Sequence, residues 1–478
     1  MSPRTIPPFF LLLLTAAPLA AQSWDVAGAY QANCATCHGD DLAGGMTSSM
    51  LDDEWIFGGS DAELARTIRL GEADAGMPAW EGTLTEPQIR AMVVFIRERR
   101  SAAALRGTDM AATQDRIFEA GGHRFRVEDV ATGLDTPWAI AFLPGGRMLV
   151  TEKPGGLRIV DQGRVGPPVQ GVPAVMPAGQ GGMLEVALHP DFKDNGWIYL
   201  AYSEKAEGGS GRDGMTALVR GRIRDNRWVD EERIYRAPAG THRPASHHWG
   251  CRIAFDGKGY LFFTIGDRGA QDMAQLLDRP NGKVHRLHDD GRVPKDNPFA
   301  GQAGALPTIW SYGHRNAQGL DFNPADGLLW STEHGPRGGD ELNLVHPGRN
   351  YGWPVITYGI NYNGTPITDR TEAEGMEQPV IHWTPSIAVC GLDFYEGTAF
   401  PAWRGGLLVG ALAGQQVQLV RIEGTRVTGQ ETLFRKIGRV RDVQSGPDGY
   451  VYVALNEPDK IVRLVPADSG VAMAAQGR

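Results

Sequence analysis

Cys34-Ala35-Thr36-Cys37-His38 sets two thiols three residues apart, with a histidine directly after the second. Cysteines at this spacing can form thioethers to both vinyl groups of a haem, and the histidine then sits under the iron as an axial ligand. The chemistry is electron transfer. A haem carrier needs few residues, so the source of its electrons has to be sought in the rest of the 478-residue chain.

The elements that must hold such a haem are short helices. Trp24 to Asn33 can form one that leads into Cys34. Asp61 to Leu70 reads as a second, with Leu64 and Ile68 on one face. Thr85-Glu86-Pro87 opens a third: Thr85 can cap it, proline is tolerated in a first turn, and Ile89, Met92, Val93 and Ile96 recur at helical spacing. Gly76-Met77-Pro78 lies between the last two helices, where a sixth iron ligand is needed, and a thioether there would raise the haem potential. Met77 is the preferred ligand, with Met46 and Met50 as rivals. The segment from about Gln22 to Arg100 resembles class I cytochrome c.

The first 21 residues read as a secretory signal peptide: Arg4, an apolar run over Phe9–Leu14, and small residues at Ala16, Ala17, Ala20 and Ala21. That run is too short to span a bilayer, and no later segment approaches 18 apolar residues. The expectation is an exported protein, periplasmic or secreted, that does not span a membrane. A net charge of -9 gives no electrostatic footprint for nucleic acid. With 63 glycines and 31 prolines the chain suits short strands and tight turns. The haem motif takes two of four cysteines, leaving Cys251 and Cys390, which an oxidising compartment allows to pair or to remain free.

Residues 101–122 read as a linker whose alanine-rich part could instead form a short helix packed on either neighbour; after it, a turn with glycine or aspartate followed by a short apolar strand recurs six times. The copies begin at Pro144, Asp194, Asp256, Asp326, Arg404 and Asp448. A repeated strand unit of this size predicts a propeller blade. The expected architecture is a small all-α cytochrome c domain (22–100) followed by an all-β six-bladed propeller (123–466), with a flexible tail at 467–478. A propeller gathers loops from every blade at one channel mouth, so polar residues distant in sequence can converge there.

Eight segments in order then carry a second resemblance. They are GQGGML from Gly179, HPDF from His189, HWGCR from His248, TIGD from Thr264 and GHRNAQG from Gly313. EHGPRGGDE from Glu333, NYGWP from Asn350 and RVRDV from Arg439 complete the set. From about Val127 to Val465 the chain resembles the soluble aldose sugar dehydrogenases that use pyrroloquinoline quinone, of the soluble glucose dehydrogenase superfamily.

The resemblance implies roles residue by residue. His248 matches the general base that takes the C1 hydroxyl proton of an aldose, and Asp267 the carboxylate that orients it. Gln180, Arg315, Asn316, Arg439 and Arg441 match contacts to the tricarboxylate quinone, with Tyr362 as a further one. Arginine suits planar carboxylates. Gly335 and Pro336 match carbonyl ligands of a calcium ion at the quinone, and Glu341 and Tyr351 a second, structural calcium site. The implied activity is oxidation of aldoses to lactones, with electrons passed to haem c and on to a downstream periplasmic acceptor. One departure stands out: Ala413 occupies the place of a lysine that contacts the quinone in many members. A calcium-dependent sugar lactonase and a non-catalytic binding propeller are the alternatives.

Overall fold

A computed structural model of the chain describes residues 24–52, 54–106, 116–207, 213–238 and 240–467. The signal-peptide reading of residues 1–21 and the tail beyond 467 lie outside them. Four helices build the N-terminal unit: α1 (Val26–Asn33), α2 (Ala35–His38), α3 (Asp61–Leu70) and α4 (Glu86–Leu105). Local chemistry sets their starts. Asp25 accepts the Gly28 N–H at 2.9 Å at the head of α1. Ser60 with Glu63, and Thr85 with Gln88, form capping boxes on α3 and α4, and Pro87 sits in the first turn of α4. Gly71 ends α3 at φ +69°, and a Cβ there would lie 2.5 Å from the Pro78 backbone. Only glycine lets the Met77 loop pack that closely on α3.

The remainder is a six-bladed propeller. Five blades are four-stranded antiparallel sheets in simple sequence order, and the sixth has five strands. Each of the six repeats seen in the sequence marks the turn between the innermost strand of a blade and the next one out. The sixth blade closes the ring: Arg439–Ser445, Val451–Asn456 and Lys460–Pro466 from the C-terminal side pair with His123–Thr132 and Ile117–Ala120 from the start of the propeller. Both ends of the expected 101–122 linker are therefore regular structure. α4 runs on to Leu105, and Ile117–Ala120 is the outermost strand of the closing blade.

The second strand of each blade is buried on both faces, because it is covered by neighbouring blades, so its polar residues must find partners inside. Thr151, Thr264 and Thr332 do so in the same way, donating to the carbonyls of Leu184, Ala317 and Cys390 on the next blade at 2.7, 3.0 and 2.5 Å. Carboxylates repeat the device nearer the axis. Asp321 accepts from Phe394 N–H (3.3 Å), Asp393 from Ser445 N–H (2.9 Å) and Asp442 from Ile140 N–H (2.9 Å). These acids, with Glu185 and Arg252, line a cavity of about 270 Å³. None of the expected site residues lines it. Its three aspartates tie innermost strands of neighbouring blades together.

Among the described residues no helix is long and apolar enough to cross a membrane. Cys251 and Cys390 are both buried and free. The disulfide alternative is not realised. Cys390 Sγ instead accepts from Arg441 Nη1 at 3.3 Å.

Candidate active site

His248 lies on the loop before the innermost strand of the third blade, at φ +56°. A non-glycine residue in the left-handed region is uncommon and costs energy, which the surroundings here supply. Gln180 Oε1 accepts the His248 N–H at 2.8 Å. Gly266 allows the close backbone approach, since a Cβ there would come within 2.4 Å of the His248 carbonyl. Arg268 stacks on Trp249 with its guanidinium carbon 3.2 Å from the ring centroid and donates to the carbonyls of His247 and Ala245. Gln180 and Arg268 thus clamp the histidine loop from two sides.

The His248 ring is 2.6 Å, Nδ1 to Oδ1, from Asp267. A carboxylate only accepts, so Nδ1 carries the proton and Nε2 presents its lone pair. Asp267 is fully buried and takes two more donors: Gly269 N–H on Oδ1 at 2.7 Å and Trp353 Nε1–H on Oδ2 at 2.8 Å. Burial alone would raise its pKa, but the His248 hydrogen bond, the charges of His248 and Arg315 and the Gly269 N–H hold it below the usual carboxylate range. His248 moves down to about 4, first through burial and then through the positive charge of Arg315, against the pull of Asp267. The resting imidazole is neutral near pH 7. Neighbouring His247 makes no hydrogen bond to Asp267 and packs edge-on against His248 at 4.6 Å.

Hydrogen bonds to the backbone of Gly250, two residues after His248, and of Arg315 tie the expected cofactor residues to the loops that carry this pair. Asn316 Oδ1 accepts from Gly250 N–H at 3.1 Å. Gln318 Nε2 donates to the Gly250 carbonyl at 2.6 Å, and Gln318 Oε1 accepts from Arg441 Nη1 at 3.1 Å. Arg441 lies 4.0 Å from the Trp138 ring centroid. Arg315 is buried, shares its backbone carbonyl with the Asp267 N–H at 2.8 Å, and donates from Nη1 to the carbonyls of His334 and Gly335 at 3.0 and 2.9 Å. Among the described residues, Asn316 Nδ2 and Arg441 Nε have no hydrogen-bond partner. Buried donors left open in this way fit an anionic, acceptor-rich ligand.

Arg439 is nearby but at the rim, 4.0 Å from Glu457. A shift in strand pairing between Val440 and Asp442 places a bulge at Arg441, so the two arginines do not simply share one face as their spacing suggests. Tyr362 is 70% exposed, and its carbonyl accepts from Arg337. Ala413 is exposed on the turn after Leu407–Ala411.

Gly335, Glu341 and Tyr351 come together with Arg315 and Glu333 around a cavity of about 10 Å³, room for one water-sized species. Pro336 lies one residue beyond, packed on Gly359. Asp340 fixes this glycine-rich loop: its Oδ1 accepts from Gly335 N–H at 2.8 Å and from Ser386 at 2.5 Å. Asn343 donates to Glu341 at 3.1 Å. Burial, and then the charge of Glu333, push it up to about 8. Two carboxylates and a carbonyl around one small cavity fit a hard cation. Among the described residues no group of three or more His, Cys, Asp or Glu side chains is placed to hold a metal, so backbone oxygens would have to complete the set.

In the helical unit, Cys34 caps α2 and Cys37 and His38 lie within it. His38 Nδ1 is 3.1 Å from Thr47 Oγ1, which fixes the ring and leaves Nε2 for an iron. Met77 is held by paired backbone hydrogen bonds to Glu72 at 2.9 and 3.1 Å and packs on the apolar cluster of the unit. Met50 also touches this cluster, whereas Met46 is 78% exposed. Met77→Ala is expected to lower the haem potential in a spectroelectrochemical titration of the haem-loaded chain. An unchanged potential would move the ligand to Met50.

Trp353, Gln318, Arg268 and Asp340 were not singled out by sequence. Trp353, Gln318 and Asp340 stand inside the matched segments, and that position was the available signal.

Residues 134–463 match the glucose/sorbosone dehydrogenase family, and residues 24–96 the family of cbb3-type cytochrome c oxidase subunit III. The chain is 44% identical over 338 residues to the aldose sugar dehydrogenase YliI of Escherichia coli, covering 69% of this chain and 90% of that protein. The crystal structure of the soluble aldose sugar dehydrogenase from Escherichia coli in the apo form superposes with a TM-score of 0.68 at 42% identity, over 72% of this chain and 99% of that one. The PQQ-bound aldose sugar dehydrogenase of Streptomyces coelicolor gives 0.58 at 27%, over 71% and 98%.

Proposed function

The chain belongs to the glucose/sorbosone dehydrogenase family, with a cytochrome c domain fused ahead of the propeller, and we propose that it oxidises aldoses at C1 to lactones using pyrroloquinoline quinone and passes the electrons to a covalent haem c in the periplasm. The observation that carries this reading is the His248–Asp267 pair, set beside the open donors of Asn316 and Arg441 by hydrogen bonds at Gly250 and Gln318.

When bound, the quinone would supply the hydride acceptor, and a calcium ion held by Gly335, Pro336 and nearby oxygens would make it more electrophilic. Asn316, Arg315, Arg439 and Arg441 would hold the cofactor's carboxylates and carbonyls, with Gln180 at its edge. His248 Nε2 takes the proton of the C1 hydroxyl while the C1 hydrogen departs as hydride, leaving the lactone. Asp267 holds the imidazole in the tautomer that can accept and stabilises the imidazolium that forms. Trp353 and Gly269 keep Asp267 ionised and aimed. Burial of the pair strengthens these interactions in a site of low polarity. Export is supported by the leader-like first 21 residues and by the haem motif.

The test is anaerobic haem reduction in the haem-loaded chain. Ferrous α-band growth that requires quinone, calcium and aldose together supports the proposal. Dye reduction without haem reduction would keep the dehydrogenase and remove the relay. The lactonase and binding alternatives predict no redox change on adding sugar. For calcium, saturating ion is expected to raise the melting temperature of the wild-type chain by several degrees and that of Glu341→Gln by much less, as read by calorimetry. Equal shifts would exclude Glu341 from any calcium site.

A further inference from the structure

The two domains meet at the segment 335–368, which also builds the cofactor cavity. Arg337 and Ile360 pair as a two-residue antiparallel bridge, with N–H to O distances of 3.2 and 2.9 Å. Both side chains enter the cytochrome domain. Ile360, a propeller residue, is fully buried in the apolar cluster formed by Val26 and Tyr30 of α1 and Met92 and Phe95 of α4. The Arg337 guanidinium forks onto the Glu98 carboxylate of α4: Nε is 3.1 Å from both oxygens and Nη2 is 2.5 Å from one. Arg90 of α4 donates to the Thr368 carbonyl at 2.5 Å. Gly338, at φ +72°, packs closely on α4: a Cβ there would stand 3.1 Å from the Val94 side chain.

These contacts differ in kind from a transient redox encounter. Domains joined by a linker move relative to one another by default, and a part-exposed ion pair adds little against that motion. A fully buried isoleucine inserted into the partner's core is a different constraint, because withdrawing it exposes apolar surface on both sides. Arg337 then fixes the orientation about the plug through a planar forked contact. Gly335, two residues before Arg337, lines the small cavity with Arg315 and Glu341. The same segment thus ends in the candidate cofactor site at one side and in the cytochrome core at the other.

We propose that Ile360, Arg337 and Glu98 form a fixed docking joint that seats the cytochrome domain on the 335–368 loop, so that the chain transfers electrons as one docked unit and not as two tethered domains. The joint stands on its own geometry; its consequence for electron transfer rests on the relay proposed above. Arg337, Glu98 and Ile360 are positioning residues, acting through the placement of the haem.

The test uses the full haem-loaded chain, with small-angle scattering and the stopped-flow rate of haem reduction read side by side. Glu98→Arg faces Arg337 with a like charge. It is expected to enlarge the radius of gyration and slow haem reduction at least tenfold, while dye-coupled sugar oxidation stays within twofold. The double swap of Glu98→Arg with Arg337→Glu should restore both, which a misfolded cytochrome would not allow. Ile360→Ser should loosen the particle at low and high salt alike. A wild-type particle that scatters as two independent bodies, or variants as compact and as fast as wild type, would overturn the joint. If wild-type haem is never reduced by sugar but Glu98→Arg still expands the particle, the relay fails and the joint stands.

Discussion

His248→Ala is expected to lower kcat/KM for aldose oxidation by roughly 10²- to 10⁴-fold, the usual contribution of a positioned general base. The quinone should still bind, because none of its proposed charged contacts is touched. The wild-type pH profile supplies a second, independent readout. The active form holds a neutral imidazole, and burial with the Arg315 charge places its pKa at about 4. The sign follows directly: the base is competent above that value and is lost as pH falls through it. kcat/KM should therefore stay level from neutral pH down to about 5 and then drop, approaching tenfold per pH unit below 4. Asp267→Asn should also be slow, since an amide no longer stabilises the developing imidazolium and can hold the wrong tautomer. An acid limb near 6.5, the ordinary histidine value, would mean that His248 is solvated in the working enzyme. A His248→Ala variant with near-normal turnover would transfer the role to His247, its neighbour in sequence and space.

Much of this arrangement was legible in the sequence because it is periodic or because it lies in short ordered segments. The six turn-and-strand copies fell at the same turn of six blades, since every blade must reverse direction at its inner edge and needs glycine or aspartate there. The helices of the cytochrome domain were readable from Thr85, Pro87 and the spacing of Ile89, Met92, Val93 and Ile96. What escaped is long-range. Nothing local to Trp353 says that its indole N–H meets Asp267, 86 residues away. Ile360 reads as an ordinary propeller residue, although its side chain completes the core of the other domain. The bulge at Arg441 is not legible either, because an extra residue in a strand resets the alternation that a spacing of two would otherwise follow. The closing strand Ile117–Ala120 was read as linker because four residues with alternating burial carry little pattern of their own.

Arg315 links the two halves of the site, and its replacement is expected to act on both. It is buried, lies 5.4 Å from the Trp353 ring centroid, and donates to the carbonyls of His334 and Gly335. Removing one partner of a buried charge pair costs about 2–5 kcal/mol, so Arg315→Gln should weaken quinone binding by roughly 30- to several-thousand-fold in a titration of the apo chain. The second effect is electrostatic. Arg315 is, after burial, the main reason that His248 holds its proton so weakly. Without that cation the His248 pKa rises, and the acid limb of kcat/KM at saturating quinone moves to higher pH. Arg315→Lys separates the two effects, because it keeps the charge and loses the planar fork. It should weaken binding while leaving the limb near its wild-type position. If Arg315→Gln binds quinone normally but still shifts the limb, Arg315 tunes the base and does not hold the cofactor. If binding fails and the limb stays, the charge of Arg315 is screened from His248, and burial alone keeps the imidazole neutral.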